Sequence, residues 1–322
     1  MSRLFKKYPA EYLMILPWMC ISMFPLIGYS VPLTAQYVFF FASIVLTGIP
    51  HGALDHLVDE QNKRLSGQPF TLWQFLGSYL LRMLSFGLIW YVSPGMALLI
   101  FLLISAFHFG ETDLCEHDHR PLTLFLSFLY GTGLLFFLLI SHLDEVIPIL
   151  TSIPQFSIPY AIRELADGPQ SILLLLTFVQ LIVIWTLQGS GKDKIILTIR
   201  TLVMLTLIYV LPLLLAFTFY FGSWHSIRSL SMIRNHLNQT AIQPLTLLGW
   251  WKKSLPLTLL ALFMMTILII LLNAVYGWSV TLIALFIGVA ILTAPHLTVM
   301  SHMYDHLRKR NSTSEFVLSQ SK

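Results

Sequence analysis

The chain has 322 residues, of which 19 are Lys or Arg and 15 are Asp or Glu, so only 11% of it is charged, against about 25% in ordinary soluble domains. Together with a hydrophobic fraction of 56% and a mean hydropathy of +0.76, this excludes large soluble domains, a Rossmann cofactor domain and nucleic-acid recognition. We therefore predict an all-α, polytopic transmembrane helical bundle that forms a single integral membrane domain over residues 1–322.

Apolar segments long enough to cross a bilayer core follow one another along the whole chain. Nine are clear, at about 11–30, 34–57, 71–92, 94–112, 121–141, 170–188, 195–225, 254–273 and 278–303. The stretch 142–169 is apolar but interrupted by three prolines, so it is read as an extra crossing or a re-entrant segment. The sequence thus predicts nine or ten crossings, followed by a polar cytoplasmic tail at 307–322.

Four of the eleven histidines lie near the C-terminal ends of separate apolar segments. They are His51, His108, His225 and His296. An ionisable side chain at membrane depth is costly unless it has a partner or a function. The alternative for any one of them is a buried histidine bonded to a backbone carbonyl or a hydroxyl. Four at equivalent positions in separate helices favour coordination of one metal.

One metal requires all four imidazoles at the same membrane depth. With the basic N-terminus cytoplasmic, nine crossings would place His225 and His296 on the opposite side from His51 and His108. An extra crossing at 142–169, or another segment that changes the parity, brings all four to one side and every basic cluster to the cytoplasm. We therefore predict ten crossings, in the cell's inner (plasma) membrane, with both termini cytoplasmic.

The type of ligand limits which metal ions suit the site. Neutral imidazoles suit Zn, Fe, Cu or Ni, and an all-histidine site in apolar surroundings favours redox or O₂ chemistry on a hydrophobic substrate over a structural zinc. Nearby carboxylates are candidates to fix the imidazole tautomers. Asp55 lies four residues after His51, whereas Glu111 and Asp113 follow His108. The alternative is that these three are ordinary interfacial carboxylates.

Four motifs together resemble the Brp/Blh family of integral-membrane β-carotene dioxygenases. They are PHGALD at 50–55, FHFGETD at 107–113, WHSIR at 224–228 and Pro295-His296, in the family's order. The resemblance implies a non-haem Fe(II) enzyme that cleaves the central double bond of β-carotene with O₂ to give two molecules of all-trans-retinal. It also implies that His51, His108 and His225 are catalytic iron ligands, and it suggests a rhodopsin as the recipient of the product.

One position departs from the family pattern. The third motif of the family resembles His-x-x-x-His, yet the residue four after His225 is Ser229. A serine hydroxyl is a poor iron ligand, so we expect His296 to complete the metal site, with Ser229 beside it. His236 and His302 are weaker candidates because they lie in more charged, interfacial sequence.

Aromatic side chains flank the presumed ligands, and we expect them to line a polyene tunnel that opens to lipid. They are Phe107, Phe109, Tyr220, Phe221 and Trp224. The alternative is that aromatics adjoin any residue in a chain in which they make up 13%.

Two other functions are considered. A transporter would use intramembrane His and Asp for protons or metal ions, and predicts polar residues at several depths and matched broken helices. A membrane di-iron desaturase or hydroxylase would carry His-x-x-His-His clusters, which are not found in this sequence. Within the carotenoid-cleaving enzymes, a different substrate or a different cleaved bond remains open.

Overall fold

The computed structural model describes residues 13–114, 121–153, 168–239, 246–277 and 281–320. Within these ranges the chain is helical and has no strand, which confirms the all-α class. Six helices are long and apolar enough to cross a membrane, and they are Leu33–Leu65, Leu72–Val92, Pro94–Leu114, Pro121–Ile140, Leu248–Tyr276 and Thr281–Arg308. The predicted polytopic bundle is therefore confirmed.

The helices are numbered in chain order, and two short π-helical stretches are given their own labels. They are α1 (Ile15–Leu26), α2 (Leu33–Ser43), π1 (Ile44–Gly48), α3 (Ile49–Gly52), α4 (Asp55–Leu65), α5 (Leu72–Val92), α6 (Pro94–Leu114), α7 (Pro121–Ile140), α8 (Leu143–Thr151), α9 (Gln170–Thr186), α10 (Gly191–Val210), α11 (Leu213–Phe217), π2 (Thr218–His225), α12 (Ser226–Leu237), α13 (Leu247–Tyr276) and α14 (Thr281–Gln320).

The single crossing expected at about 195–225 is in fact two helices. Leu211 and Pro212 adopt extended backbone angles between α10 and α11, and proline cannot continue the backbone hydrogen bonds of α10 because it has no N–H. The Arg200 guanidinium lies 5.3 Å from the ring centre of Trp224, whereas one straight helix would separate these positions by about 36 Å. The chain therefore doubles back at Pro212.

One additional reversal of the chain is needed to place all four histidines at the same depth. The turn at Pro212 provides it, so a crossing at 142–169 is not required for this purpose. In that stretch the structure describes α8, which has nine residues and is too short to cross a bilayer core. Residues 154–167 lie outside the described residues, so the interpretation of 142–169 stays a prediction.

Helices α6 and α7 approach each other so closely that their backbones touch. A Cβ atom at Gly110 would clash with the carbonyl of Ser127, and one at Gly131 would clash with the carbonyl of Ala106. Only glycine permits an approach of this kind. This contact fixes the height and rotation of the α6 segment that carries His108.

Hydrogen bonds between helices pair several of the buried polar groups. Gln180 of α9 donates from Nε2 to the carbonyl of Tyr130 at 2.7 Å, and the Tyr130 hydroxyl lies 2.7 Å from the Thr201 hydroxyl. Large apolar side chains cover much of the outer surface, among them Leu84 and Phe263. An apolar exterior with polar groups paired between helices is typical of a bundle in a bilayer.

Candidate metal centre

Two π-helical stretches position two of the predicted ligands. π1 ends three residues before His51, and π2 ends at His225 itself; single π turns are frequent at functional sites. The two stretches are in tight contact, since a Cβ at Gly222 would clash with the hydroxyl of Ser43. Thr47 also donates to the carbonyl of Gly222 at 2.6 Å. These contacts hold the helices of His51 and His225 in a fixed register.

The structure brings His51, His108, His225 and His296 together. The ring centres of His51 and His296 are 4.8 Å apart, those of His296 and His108 5.0 Å, those of His108 and His225 4.8 Å, and those of His225 and His51 5.6 Å. Adjacent rings are nearly perpendicular in each of these four pairs. We call these four residues the histidine cluster.

Three members of the histidine cluster are arranged as a metal site. One nitrogen each from His51, His108 and His225 lies within 4.8 Å of the other two, and all three side chains are buried. His296 lies on the same site from a fourth helix and is also buried. The four side chains come from α3, α6, π2 and α14, so no two are neighbours in sequence.

The hydrogen bonding of the cluster fits a metal. Both ring nitrogens of His108 and of His225, and Nε2 of His296, are buried without a hydrogen-bond partner. A neutral imidazole carries one donor and one acceptor, and leaving both unpaired in an apolar interior is costly. His51 directs Nδ1 to the carbonyl of Thr47 at 3.3 Å, which leaves Nε2 for a ligand. A metal bound at the centre of the cluster would satisfy one nitrogen of each of these rings.

Asp55 contacts His296 rather than the neighbouring His51. His296 donates from Nδ1 to Oδ1 of Asp55 at 2.8 Å, and the Tyr79 hydroxyl donates to Oδ2 at 3.0 Å. A carboxylate on Nδ1 fixes the tautomer, so that Nε2 presents its lone pair to the cluster. Tyr79 carries no signal in the sequence, because it is one aromatic among many in an apolar helix.

Asp113 ties α6 to π2 behind His225. It accepts hydrogen bonds from Nε1 of Trp224 at 2.8 Å and from the Tyr220 hydroxyl at 3.2 Å. Nε of Arg228 lies 3.8 Å from the same carboxylate and donates to the carbonyl of Thr112 at 2.9 Å. The Asp113 carboxylate therefore holds the helix that carries His225 in place. None of these bonds involves the His225 imidazole.

Glu111 forms an ion pair with Arg308, whereas the Ser229 hydroxyl makes no hydrogen bond. Arg308 donates to Oε1 of Glu111 at 2.8 Å, and both side chains are buried. This pair joins α6 to the part of α14 that was expected to begin the polar tail. Ser229 is buried and its hydroxyl has no hydrogen-bond partner. Arg308 was missed in the sequence because it belongs to a basic run that looks solvated.

A cavity of about 700 Å³ reaches the histidine cluster, a volume within the range of small-molecule sites. Its walls are almost wholly apolar, and all four histidines contribute to them. Asp55, Tyr79 and Ser105 are among the few polar residues that line it. The arrangement suits a long hydrophobic ligand whose reacting part lies at the cluster.

Two of the five expected tunnel aromatics lie on the cavity wall, namely Phe109 and Phe221. Phe107, Tyr220 and Trp224 are not among the described residues that line it. Tyr220 and Trp224 are directed to Asp113 instead. The other histidines considered also lie apart from the cluster, since His302 is exposed and the ring of His236 is 6.3 Å from that of His306.

Comparison with known proteins points in one direction. The family model described as beta-carotene 15,15'-dioxygenase matches residues 42–304, a range that contains the entire histidine cluster. A protein of that name from uncultured marine bacterium 66A03 is 26% identical over 270 residues, which cover 82% of this chain and 92% of the relative. No solved structure matches the chain.

Proposed function

This chain belongs to the beta-carotene 15,15'-dioxygenase family, and from that premise we propose that it cleaves the central double bond of β-carotene with O₂ to give two molecules of all-trans-retinal. The observation that carries the proposal is the buried histidine cluster at the end of an apolar cavity. A cavity with so few polar groups favours a hydrocarbon substrate over an ion or a polar metabolite.

The reaction balances without a further reductant. The carbon–carbon double bond breaks, and each of its two carbons forms a double bond to one oxygen atom of O₂. The two carbons are oxidised to aldehydes while O₂ is reduced by the same four electrons. No proton is consumed, so the site needs a place for O₂ and a fixed polyene rather than a general acid or base.

We propose that His51, His108, His225 and His296 hold Fe(II). When bound, Fe(II) supplies the one-electron chemistry that allows O₂ to react with a closed-shell polyene. Asp55 holds the His296 ring with Nε2 toward the metal, and Tyr79 holds Asp55. Because four imidazoles are neutral ligands, the metal keeps its positive charge, and the apolar walls exclude water from it.

We also propose that the chain lies in the cell's inner membrane with the histidine end of the bundle toward the cytoplasm. Basic side chains gather at that end, among them Lys63, Arg228 and Arg308. An excess of Lys and Arg on cytoplasmic segments is the usual signal for orientation.

The activity is tested by expression in a β-carotene-accumulating host that makes no retinal. We expect the orange colour to bleach and retinal to appear by chromatography. The matched control is a host that expresses His108→Ala at the same level in the membrane. Unchanged β-carotene in cells that contain iron-loaded, membrane-inserted wild-type protein would contradict the proposal.

The fourth ligand is tested by His296→Ala. We expect the purified protein to lose bound iron, because three imidazoles remain and Ser229 supplies only a hydroxyl. Asp55→Asn should weaken iron binding by about 10- to 100-fold, as is typical when the partner of a metal-bound imidazole is altered. Asp59→Asn on the same helix, whose carboxylate pairs with Lys63, is the control. Full iron content in His296→Ala would exclude His296 as a ligand.

A further inference from the structure

The cavity extends from the histidine cluster toward the opposite end of the bundle. It is lined near the cluster by His108 and His296, and farther along the same two helices by Leu98 and Ile283. Leu98 precedes His108 by ten residues and Ile283 precedes His296 by thirteen. At the rise of an α-helix these separations are about 15 and 20 Å. Along α6 and α14 this part of the cavity, which we call the chamber, is therefore about 15–20 Å deep, whereas along α2 the lining continues to Leu33, 18 residues before His51.

The short helix α8 lies across the far end of the chamber. Three of its apolar side chains line the cavity, namely Val146, Ile149 and Leu150. Ile149 and Leu150 pack against the apolar cluster that contains Leu98 and Ile283. The same side chains are therefore part of the apolar packing around the far part of the chamber.

Hydrogen bonds hold α8 in this position. The ring nitrogens of His142, at its start, lie 2.8 Å from the carbonyl oxygens of Leu138 and Leu211. The carboxylate of Glu145 accepts from the backbone N–H of Leu213 at 3.1 Å. The end of the chamber is therefore anchored to α7 and to the turn between α10 and α11.

The side of the cavity opens between α5 and α13. Leu80, Leu260 and Met264 line it and are 50%, 51% and 48% exposed. Leu80 adjoins Tyr79, which is linked through Asp55 to His296. The opening is therefore close to the histidine cluster, and its exposed side chains are apolar, as an entrance from lipid requires.

The depth of the chamber matches one half of the proposed substrate. An extended chain advances about 1.2 Å per bond. One arm of β-carotene, from its central double bond to the far edge of the ring, contains about twelve bonds. Each arm is therefore about 14 Å long. The distance of about 15–20 Å from the cluster along α6 and α14 is therefore enough for one arm that ends against α8.

We propose that α8 acts as a ruler that selects the bond to be cleaved. The substrate enters between α5 and α13, and one arm fills the chamber until its ring meets Ile149 and Leu150. The double bond then held at the cluster is the central one. This inference rests on the proposed function. Whichever bond is held there, the balance is the same, since one double bond breaks and each of its carbons takes one oxygen atom of O₂, giving an aldehyde or, where the carbon carries a methyl group, a ketone.

The ruler is tested by changing the length of the chamber. Ile149→Phe shortens it, so a bond nearer the inner ring should reach the cluster. We expect the ratio of cleavage products of unequal length to retinal to rise by about tenfold or more, because a small displacement of a reacting group changes its rate strongly. Ile149→Ala lengthens the chamber and should also give cleavage products of unequal length. Ile147→Phe, on the same helix but not among the described residues of the wall, should give retinal alone.

The outcomes separate the two proposals. If the wild type forms no aldehyde from β-carotene, the proposed function fails and the ruler fails with it. If the wild type forms retinal and both Ile149 variants form retinal alone, only the ruler is wrong. If Ile149→Phe is inactive, Ile149→Ala decides, and retinal as its sole product overturns the ruler.

Discussion

His225→Ala is expected to give a protein that reaches the membrane and binds no iron. His225 lies at the junction of π2 and α12, and its two ring nitrogens have no hydrogen-bond partner in the structure. Its removal therefore breaks no hydrogen bond of the apoprotein. In the proposed four-histidine site the metal would lose one of its four ligands, and the three remaining imidazoles would bind it more weakly.

The measurement is the iron content of purified protein, taken together with retinal formation in cells. His302→Ala is the matched control, because this histidine is exposed and lies on the same helix as His296. It should retain iron and activity. If His225→Ala keeps the iron content of the wild type, the histidine cluster is not the iron site.

Gly131→Ala is expected to destabilise the fold strongly, because α6 and α7 are in backbone contact at this position. The new Cβ atom would clash with the carbonyl of Ala106 and approach the backbone of Gly110. Backbone cannot move aside as a side chain can, so α6 and α7 would have to separate. We expect a loss of about 3 kcal/mol or more in the free energy of unfolding, at the upper end of the usual cost of overpacking.

The control is Gly77→Ala, where a Cβ atom meets no other atom within 4 Å. Gly77 lies within α5, so alanine there should leave stability unchanged or raise it slightly through its higher helix propensity. Thermal unfolding in detergent compares the two variants. An unfolding temperature for Gly131→Ala equal to that of the wild type would show that α6 and α7 are not held in backbone contact.

The four histidines could be selected from the sequence because ionisable groups are rare and costly in apolar helices. Each histidine lies at a comparable depth in its own segment. Because one metal needs all four on the same side of the membrane, the sequence predicted one more crossing than the nine clear segments. The sequence did not show in which segment the additional change of direction lies. Pro212 interrupts a long apolar run, and hydropathy alone does not distinguish a kink from a reversal.

The carboxylates show the limit of arguments from spacing. Asp55 follows His51 by one helical turn, yet α3 ends at Gly52 and a turn intervenes. The carboxylate therefore faces His296, which is 241 residues away. Asp113 follows His108 but is bonded to side chains of π2 and α12. The spacing of two residues in the sequence predicts that their side chains are neighbours only when both lie on the same uninterrupted helix.

The sequence by itself determined that the chain lies in lipid, that it is helical and which buried histidines to examine as candidate metal ligands, since each follows from the energetic cost of polar groups in lipid. The tertiary structure alone decided how those groups are paired and where the cavity lies. Tyr79, Arg308 and α8 acquire their roles from contacts between helices far apart in the chain. Such contacts depend on which apolar faces pack together, and one long apolar face resembles another in composition.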